Sequence, residues 1–185
     1  MKDKIPQYIK EIAKKLQDEG FEVYLVGGCV RNMLLGRQIK DWDLTTDADP
    51  SEMMKIFPDG FYDNTFGTVG VPIKQDEPGL PAGRQVVEIT TFRTEKNYID
   101  RRHPEVAWGK TIEEDLSRRD FTINAIALQL TTNDSPSTDA GQRLASRRSG
   151  PTTNIIDPYN GQQDLKQQLI RAVGDPNLRF KEDAL

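Results

Sequence analysis

Tyr24-Leu25-Val26-Gly27-Gly28-Cys29-Val30-Arg31, followed by Asp41-Trp42-Asp43, is the stretch that decides the fold. It predicts a buried strand, a glycine turn, a short helix that ends at Gly36, and a second strand with two acids. Glycines directly after a strand let the backbone pass close to a phosphate, and the amides that open the next helix suit an anion. The stretch therefore predicts a phosphate-binding corner.

Asp41 and Asp43 stand two positions apart in the predicted second strand, so we expect both side chains to leave the same face. Two carboxylates on one face repel each other, and a divalent cation relieves that repulsion. Oxygen ligands of this kind favour magnesium, which completes its shell with waters and substrate phosphates. A phosphate corner beside metal-binding acids predicts chemistry on a nucleoside triphosphate.

Composition places the chain among globular proteins, and its 185 residues suffice for one domain, or for one domain and the start of another. The longest apolar runs are too short to span a membrane, and the first residues do not form a signal peptide. The single cysteine, Cys29, excludes an internal disulfide and favours a reducing cytoplasm. A reactive thiol and a small residue that fits a tight corner are the alternatives for Cys29; without a neighbouring base, we prefer the second.

The net charge of −4 argues mildly against a dedicated nucleic-acid-binding domain. The basic residues are nevertheless clustered. Such clusters are usually solvated faces, but paired arginines that flank an acid site can hold a triphosphate. The clusters are Arg101-Arg102-His103, Arg118-Arg119, Arg147-Arg148, and Arg171 through Arg179 to Lys181.

Hydrophobic periodicity and capping residues predict the order of the elements. We expect helices over 5–16, 29–35, 49–57, 111–118, 162–169 and from 176 onward. We expect strands over 21–26, 41–45, 61–64, 66–71, 86–92, up to 130, and at 155–156. Thr111 to Glu114 has the pattern of a capping box.

Glu88 is the one acid among the apolar and β-branched residues of the strand 86–92. A buried carboxylate there is costly unless it meets a cation or a hydrogen-bond partner, so Glu88 is a candidate third acid of the metal site. The alternative is a glutamate on an edge strand that faces water.

Three segments interrupt this pattern. Residues 75–83 form a turn-rich insert between strands, and 94–104 predict a mobile loop. Residues 131–154 contain hardly any large apolar side chains, so we expect a disordered insert.

Four stretches in order resemble one known family. They are Leu25 to Arg37 with Asp41-Trp42-Asp43, Asp115 to Ala125, Ile155 to Gly161, and Arg179 to Leu185. They resemble the signatures of bacterial-type (class II) tRNA nucleotidyltransferases, the CCA-adding enzymes, which share this head with bacterial poly(A) polymerases. The resemblance implies an α+β, polymerase-beta-like nucleotidyltransferase fold, with a mixed sheet backed by helices and the start of a helical neck. It divides the chain into a head, 1–157, and a head–neck junction, 158–185.

By this resemblance, the chain is a catalytic head that adds C, A or both to tRNA 3′ ends from CTP and ATP. Asp41 and Asp43 would bind two catalytic Mg²⁺ ions, with Glu88 as the candidate third acid. The glycine turn and Arg31 would contact the triphosphate. The nucleotide-binding set would be Gly27, Gly28, Arg31, Arg118, Arg119, Asp120, Asn124 and Asp183.

The chain departs from the family pattern at three positions. Asn32 stands where an aspartate is common, and His103 replaces an arginine of the flexible loop. The base-reading motif stops after Asp183-Ala184-Leu185, one residue before its arginine, so we expect a fragment that ends at the head–neck junction. Two alternatives stay open: a bacterial poly(A) polymerase head, and a non-catalytic nucleotide- or RNA-binding module with the same fold.

Overall fold

The computed structural model describes residues 5–63, 67–73, 86–94, 107–130 and 154–182. The predicted insert 75–83, the predicted disordered segment apart from Asn154, the predicted loop beyond Thr94, and Asp183 lie outside the described residues.

Six α-helices are formed by the described residues: α1 (Gln7–Asp18), α2 (Gly28–Leu34), α3 (Pro50–Ile56), α4 (Ile112–Ser117), α5 (Gly161–Gln167) and α6 (Pro176–Glu182). A 3-10 helix covers Thr122–Asn124. The strands are β1 (Val23–Val26), β2 (Asp43–Thr46), β3 (Phe61–Asp63), β4 (Thr68–Pro72), β5 (Val86–Thr91), β6 (Arg93–Thr94), β7 (Ala107–Trp108), β8 (Ala127–Gln129) and β9 (Ile155–Ile156).

The starts of α3 and α4 differ in how completely they are capped. At α3, Asp49 accepts a hydrogen bond from the Glu52 amide and donates its own amide to the Glu52 carboxylate, which completes a capping box. At α4, Thr111 accepts from the Glu114 amide, but the Glu114 carboxylate accepts from the Lys110 amide at 2.6 Å. The reciprocal half of the box predicted at Thr111 is therefore wrong.

Seven of the described strands form one mixed sheet in the order β3-β4-β5-β2-β1-β8-β9. The pairing is parallel between β2 and β5 and antiparallel elsewhere in this sheet. β6 and β7 form a separate antiparallel pair. The predicted mixed sheet is confirmed. β5 lies between β4 and β2, so the alternative is wrong in placing Glu88 on an edge strand. The Glu88 side chain is nevertheless exposed, as that alternative expected, and the interpretation of Glu88 as a buried carboxylate is wrong.

The sheet is covered differently on its two faces. Buried side chains of α1, α2 and α3 pack with Leu25, Leu44 and Ile89 into the larger core cluster. A smaller cluster on the other face joins Tyr24 and Val26 to α4 and to the segment before β8. β1 is therefore buried on both faces, as expected for a central strand. The smaller second cluster leaves the start of β2 and β5 uncovered on that face.

The register of β2 against β5 places Asp43 opposite Glu88. β2 begins at Asp43, so Asp41 precedes the strand. The prediction that Asp41 lies within the second strand is wrong. The shared face therefore explains the direction of the Asp43 side chain but not that of Asp41.

α5 packs on the 3-10 helix at very short range. A Cβ built on Gly161 would lie 2.2 Å from the carbonyl oxygen of Thr122, so only glycine fits without a backbone shift. The buried Asp164 carboxylate accepts hydrogen bonds from the Thr122 hydroxyl at 2.7 Å and from Arg171 Nε at 3.1 Å. Within the described residues, no helix has both the length and the apolar character needed to cross a bilayer.

Ile89 tests the main core, because its side chain is fully buried in the middle of the sheet. We expect Ile89→Ala to lower the free energy of unfolding by about 2–5 kcal/mol, through lost apolar burial and a residual cavity. The measurement is urea denaturation followed by circular dichroism. Val86→Ala on the same strand is the control; Val86 is 37% exposed, and its loss should cost about 1 kcal/mol at most. Equal losses from both variants would contradict the packing described.

Candidate active site

Three carboxylates lie at the start of β2 and β5. Asp43 and Glu88 are register partners on the two parallel strands, and Asp41 lies just before β2. All three line one cavity of about 560 Å³. Its remaining walls are Tyr8, Lys40, Trp42, Ile73, Val86 and Val87. The structure thus brings together the three acids that the sequence assigned to the metal site.

Asp43 is the carboxylate most affected by this arrangement. Its pKa is raised, first by burial, then by the negative charge of Glu88, and to a smaller extent by Asp41. The Arg119 guanidinium acts in the opposite direction and lowers the same pKa. The ionised form of Asp43 is therefore disfavoured mainly by burial and then by the acids beside it.

This clustering of carboxylates is the observation that bears on a divalent cation. Carboxylate oxygens are the ligands that magnesium prefers, and a cation would offset the repulsion around Asp43. Within the described residues, no group of three or more acidic, histidine or cysteine side chains is arranged to hold a metal alone. The residues fit an ion that takes only part of its shell from protein and the rest from water and phosphate.

The glycine turn lies directly against this cluster. Gly27 has φ 68° and ψ −134°, a conformation that favours glycine, and α2 begins at the next residue. A Cβ built on Gly27 would lie 3.0 Å from Arg119 Nη1 and 3.8 Å from Asp43 Oδ2. A Cβ on Gly28 would lie 3.6 Å from Arg31 Nη2. Backbone, cations and carboxylate therefore meet at one corner.

A hydrogen-bond chain connects this corner to the 3-10 helix. Arg31 donates through Nη1 to the side-chain oxygen of Asn124. The Asn124 amide nitrogen donates to both carboxylate oxygens of Asp120, at 3.0 and 3.3 Å. Asp120 also accepts from the Phe121 amide at 2.7 Å. Three residues predicted to bind the nucleotide are thus held in one network.

The two arginines that follow α4 have different surroundings. Arg119 reaches the glycine turn, and its Nη2 donates to the buried Asp115 carboxylate at 3.0 Å. Arg118 Nε lies 4.0 Å from the other oxygen of Asp115. Both arginines therefore pair with Asp115. Arg119 also reaches the glycine turn beside Asp43.

Sequence reasoning assigned no role to Asp115, although it lies in the second signature. The signal that could have found it is its spacing, because residues three and four positions apart share a helix face. An acid placed three and four positions before two arginines can pair with both.

Cys29 lies in the glycine corner and is buried, with its Sγ 3.0 Å from the Val26 carbonyl oxygen. Burial is the main reason that the pKa of its thiol rises to about 11. A thiol of this kind is a poor nucleophile at neutral pH, which agrees with the interpretation of Cys29 as a small packing residue.

The mixed sheet, with paired acids beside a glycine turn, has the polymerase-beta-like nucleotidyltransferase fold predicted from the sequence. A model of the family described as "Poly A polymerase head domain" matches residues 23–171, and the chain belongs to this family. The resemblance stated from the sequence signatures is confirmed.

Similar proteins carry a more specific name. The CCA-adding enzyme of Lactobacillus helveticus is 41% identical over 187 residues, which span 99% of this chain and 40% of the relative. The CCA-adding enzyme of Enterococcus faecalis is 42% identical over 185 residues, spanning 98% of this chain and 38% of the relative. The chain thus spans about two fifths of the length of these curated relatives.

Solved structures give the same picture. The Bacillus stearothermophilus CCA-adding enzyme in complex with CTP is 35% identical, with a TM-score of 0.69 over 96% of this chain and 36% of that one. A tRNA nucleotidyltransferase complexed with a primer tRNA and an incoming ATP analog is 26% identical. Its TM-score is 0.63, over 94% of this chain and 41% of that one.

The partly buried carboxylate of Asp43, with Glu88 beside it, predicts a stability gain on neutralisation. A carboxyl group whose pKa is raised in the folded state makes the protein less stable as the pH rises from the group's ordinary pKa of 3.8 through its pKa in the folded state. We therefore expect Asp43→Asn to raise the Tm of the metal-free protein at pH 7 by a few degrees. Calorimetric scans in EDTA measure this. The gain should shrink as the pH falls toward 3, and a gain independent of pH would contradict the cause given.

The buried thiol predicts slow chemical modification. We expect Cys29 in the native protein to react with Ellman's reagent at least about tenfold more slowly than in the urea-unfolded chain, because the thiolate is scarce and covered. Absorbance at neutral pH follows the reaction. Equal rates in the two states would mean that the corner is open to solvent.

Proposed function

We propose that this chain is the catalytic head of a template-independent RNA nucleotidyltransferase that adds C, A or both to tRNA 3′ ends. CTP and ATP would be the donors, and pyrophosphate the leaving group. The observation that carries the proposal is the register of Asp43 against Glu88, with Asp41 nearby and with Gly27 and Arg119 packed against Asp43. The CCA-adding names of the similar proteins support the choice of tRNA.

The acids would hold the metal. Asp41 and Asp43 are the proposed ligands of two magnesium ions, and Glu88 is the third acid, placed beside Asp43 by the strand pairing. When bound, such ions would promote loss of the proton of the RNA 3′-hydroxyl and balance charge on the triphosphate. The protein supplies the alignment, because β2 and β5 fix the two carboxylates relative to each other.

The cationic side of the corner would receive the triphosphate. The backbone of Gly27 and Gly28 allows close approach, and Arg31 and Arg119 lie against the same turn. Their guanidinium groups would pair with phosphate oxygens and hold the reacting phosphorus next to Asp43. Fixed cations of this kind also stabilise charge that develops on the leaving group.

The sugar and the base would lie farther along the same network. Asp120 and Asn124 are joined by hydrogen bonds, and both can exchange these bonds for ribose hydroxyls. Arg118 belongs to the proposed nucleotide-binding set, as does Asp183, which would read the base edge. Asn124 also holds Arg31, so sugar binding and phosphate binding would be coupled through one side chain.

The division of the chain stays part of the proposal. The head would cover residues 1–157, and residues 158–185 would form the head–neck junction. The proposal also places the protein in the cytoplasm, where a chain with one cysteine stays reduced.

Two other functions compete with this one. A poly(A) polymerase would use the same head, and the name of the matching family includes that activity. Supplying radiolabelled CTP or ATP to the parent enzyme, with tRNA that lacks its 3′ terminus, separates the two: long untemplated A tails favour the polymerase. A non-catalytic binding module would not require Asp41 and Asp43, so the presence of both acids argues against it.

Calorimetry of the 185-residue chain with CTP, ATP, GTP and UTP tests the proposal directly. We expect weak, magnesium-dependent binding with little base preference, because the 185 residues include Asp183 but not the arginine that the family's base-reading motif pairs with it. Asp41→Ala and Asp43→Ala should each abolish the magnesium dependence. Asp18→Ala is the control, because Asp18 is an exposed acid at the end of α1.

The outcomes separate the parts of the proposal. Magnesium-dependent binding that survives both substitutions would exclude these acids as the metal ligands. A tight preference for CTP would show that base recognition is complete within the chain.

A further inference from the structure

Asp115 is a buried carboxylate that the proposed reaction does not use. It lies on α4 and is 2% exposed. One oxygen accepts from the Arg93 amide at 3.2 Å and lies 4.0 Å from Arg118 Nε. The other accepts from Arg119 Nη2 at 3.0 Å. A buried charge is costly unless it is paired and hydrogen-bonded, so this position requires its cationic neighbours.

The bond to Arg119 also determines where the guanidinium lies. While Nη2 is held by Asp115, Nη1 lies 3.0 Å from the position of a Cβ on Gly27. The third nitrogen, Nε, is buried without a hydrogen-bond partner in the described part of the chain. The planar group is therefore fixed at one edge and presents its other end to the glycine corner.

The acids of the corner compete for this guanidinium. Asp43 and Glu88 are register partners, and Asp41 lines the same cavity. The position of a Cβ on Gly27 lies 3.0 Å from Arg119 Nη1 and 3.8 Å from Asp43 Oδ2, so Arg119 and Asp43 meet at the same turn. Without a second anchor, Arg119 would form a direct ion pair with these acids. Its positive charge would then not be available to a phosphate group. Asp115 is placed to prevent that, because it holds Arg119 from the opposite side.

We propose that Asp115 is a positioning residue, which fixes the Arg119 guanidinium against the glycine turn so that it is ready for the triphosphate. The inference rests on the proposed function, since it assumes that this corner binds a nucleotide. Preorganisation of this kind reduces the ordering cost that Arg119 would otherwise incur on binding. Asp115 itself touches neither phosphate nor metal in this scheme.

A purely structural role for Asp115 makes a different prediction. Its bond to the Arg93 amide could stabilise the junction between β6 and α4 without any effect on the corner. In that case, removing its charge would lower the Tm but leave nucleotide affinity unchanged at temperatures where the protein is folded. A double-mutant cycle distinguishes the two roles, because a positioning effect requires Arg119.

The experiment titrates magnesium CTP and magnesium ATP into the 185-residue chain and into Asp115→Asn, Arg119→Ala and the double variant. We expect Asp115→Asn to weaken binding about tenfold, as for loss of a charge-assisted hydrogen bond. In the Arg119→Ala background the same change should have little further effect. Asp49→Ala is the control; it removes the α3 cap, so it should lower the Tm and leave affinity unchanged.

Three results would overturn the inference. They are wild-type affinity in Asp115→Asn while Arg119→Ala is impaired, losses that add independently in the double variant, and weakening of the same size in Asp49→Ala. If Asp115→Asn does not fold, Asp115→Glu keeps the charge and displaces the guanidinium; it should weaken binding, and wild-type affinity would refute the proposal. If the unmodified chain binds no triphosphate at all, the proposed function fails, and this inference fails with it.

Discussion

Repulsion between carboxylates is the constraint on which the rest of the structure depends. The parallel pairing of β2 with β5 places Asp43 opposite Glu88, and Asp41 enters the same cavity from the preceding turn. Burial first, and then the negative charge of Glu88, disfavour the ionised form of Asp43 and raise its pKa. A cation bound among these carboxylates, as proposed above, would offset that cost. The surrounding elements can be understood as the means of holding these acids together.

The asymmetric covering of the sheet serves that purpose. Three helices cover one face with a large apolar core. Burial of this core offsets the destabilising effect of the clustered acids. The opposite face carries a smaller cluster, and Asp43 and Glu88 lie on that face beside it, with the ends of Arg31 and Arg119 at the adjoining glycine turn. Because the 3-10 helix is held by α5 through Thr122 and Asp164, Asn124 is also anchored from behind. The cationic residues of the corner are thus held from several directions, and the acids through the sheet.

Local chemistry made much of this predictable from the sequence. The apolar spacing of α1, the helix start at Asp49 and the glycine turn at Gly27 each depend on neighbouring residues, and each is present. The register of Asp43 against Glu88 joins residues far apart in the chain, and nothing local encodes it. For the same reason, only the sheet order shows that Glu88 does not lie on an edge strand, although its side chain is exposed. Glu114 illustrates a local failure, because a competing amide at Lys110 takes the carboxylate that the capping pattern assigned to Thr111.

β1 has a further consequence for the rigidity of the corner. This strand is flanked by β2 and β8 and packed on both faces, so neither its edges nor its sides meet solvent. Its amide hydrogens belong to the class that exchanges with deuterium only when the whole domain opens. Gly27 follows this strand without any intervening linker. The most conformationally permissive residue of the site is therefore tethered to a strand that is paired on both edges and buried on both faces.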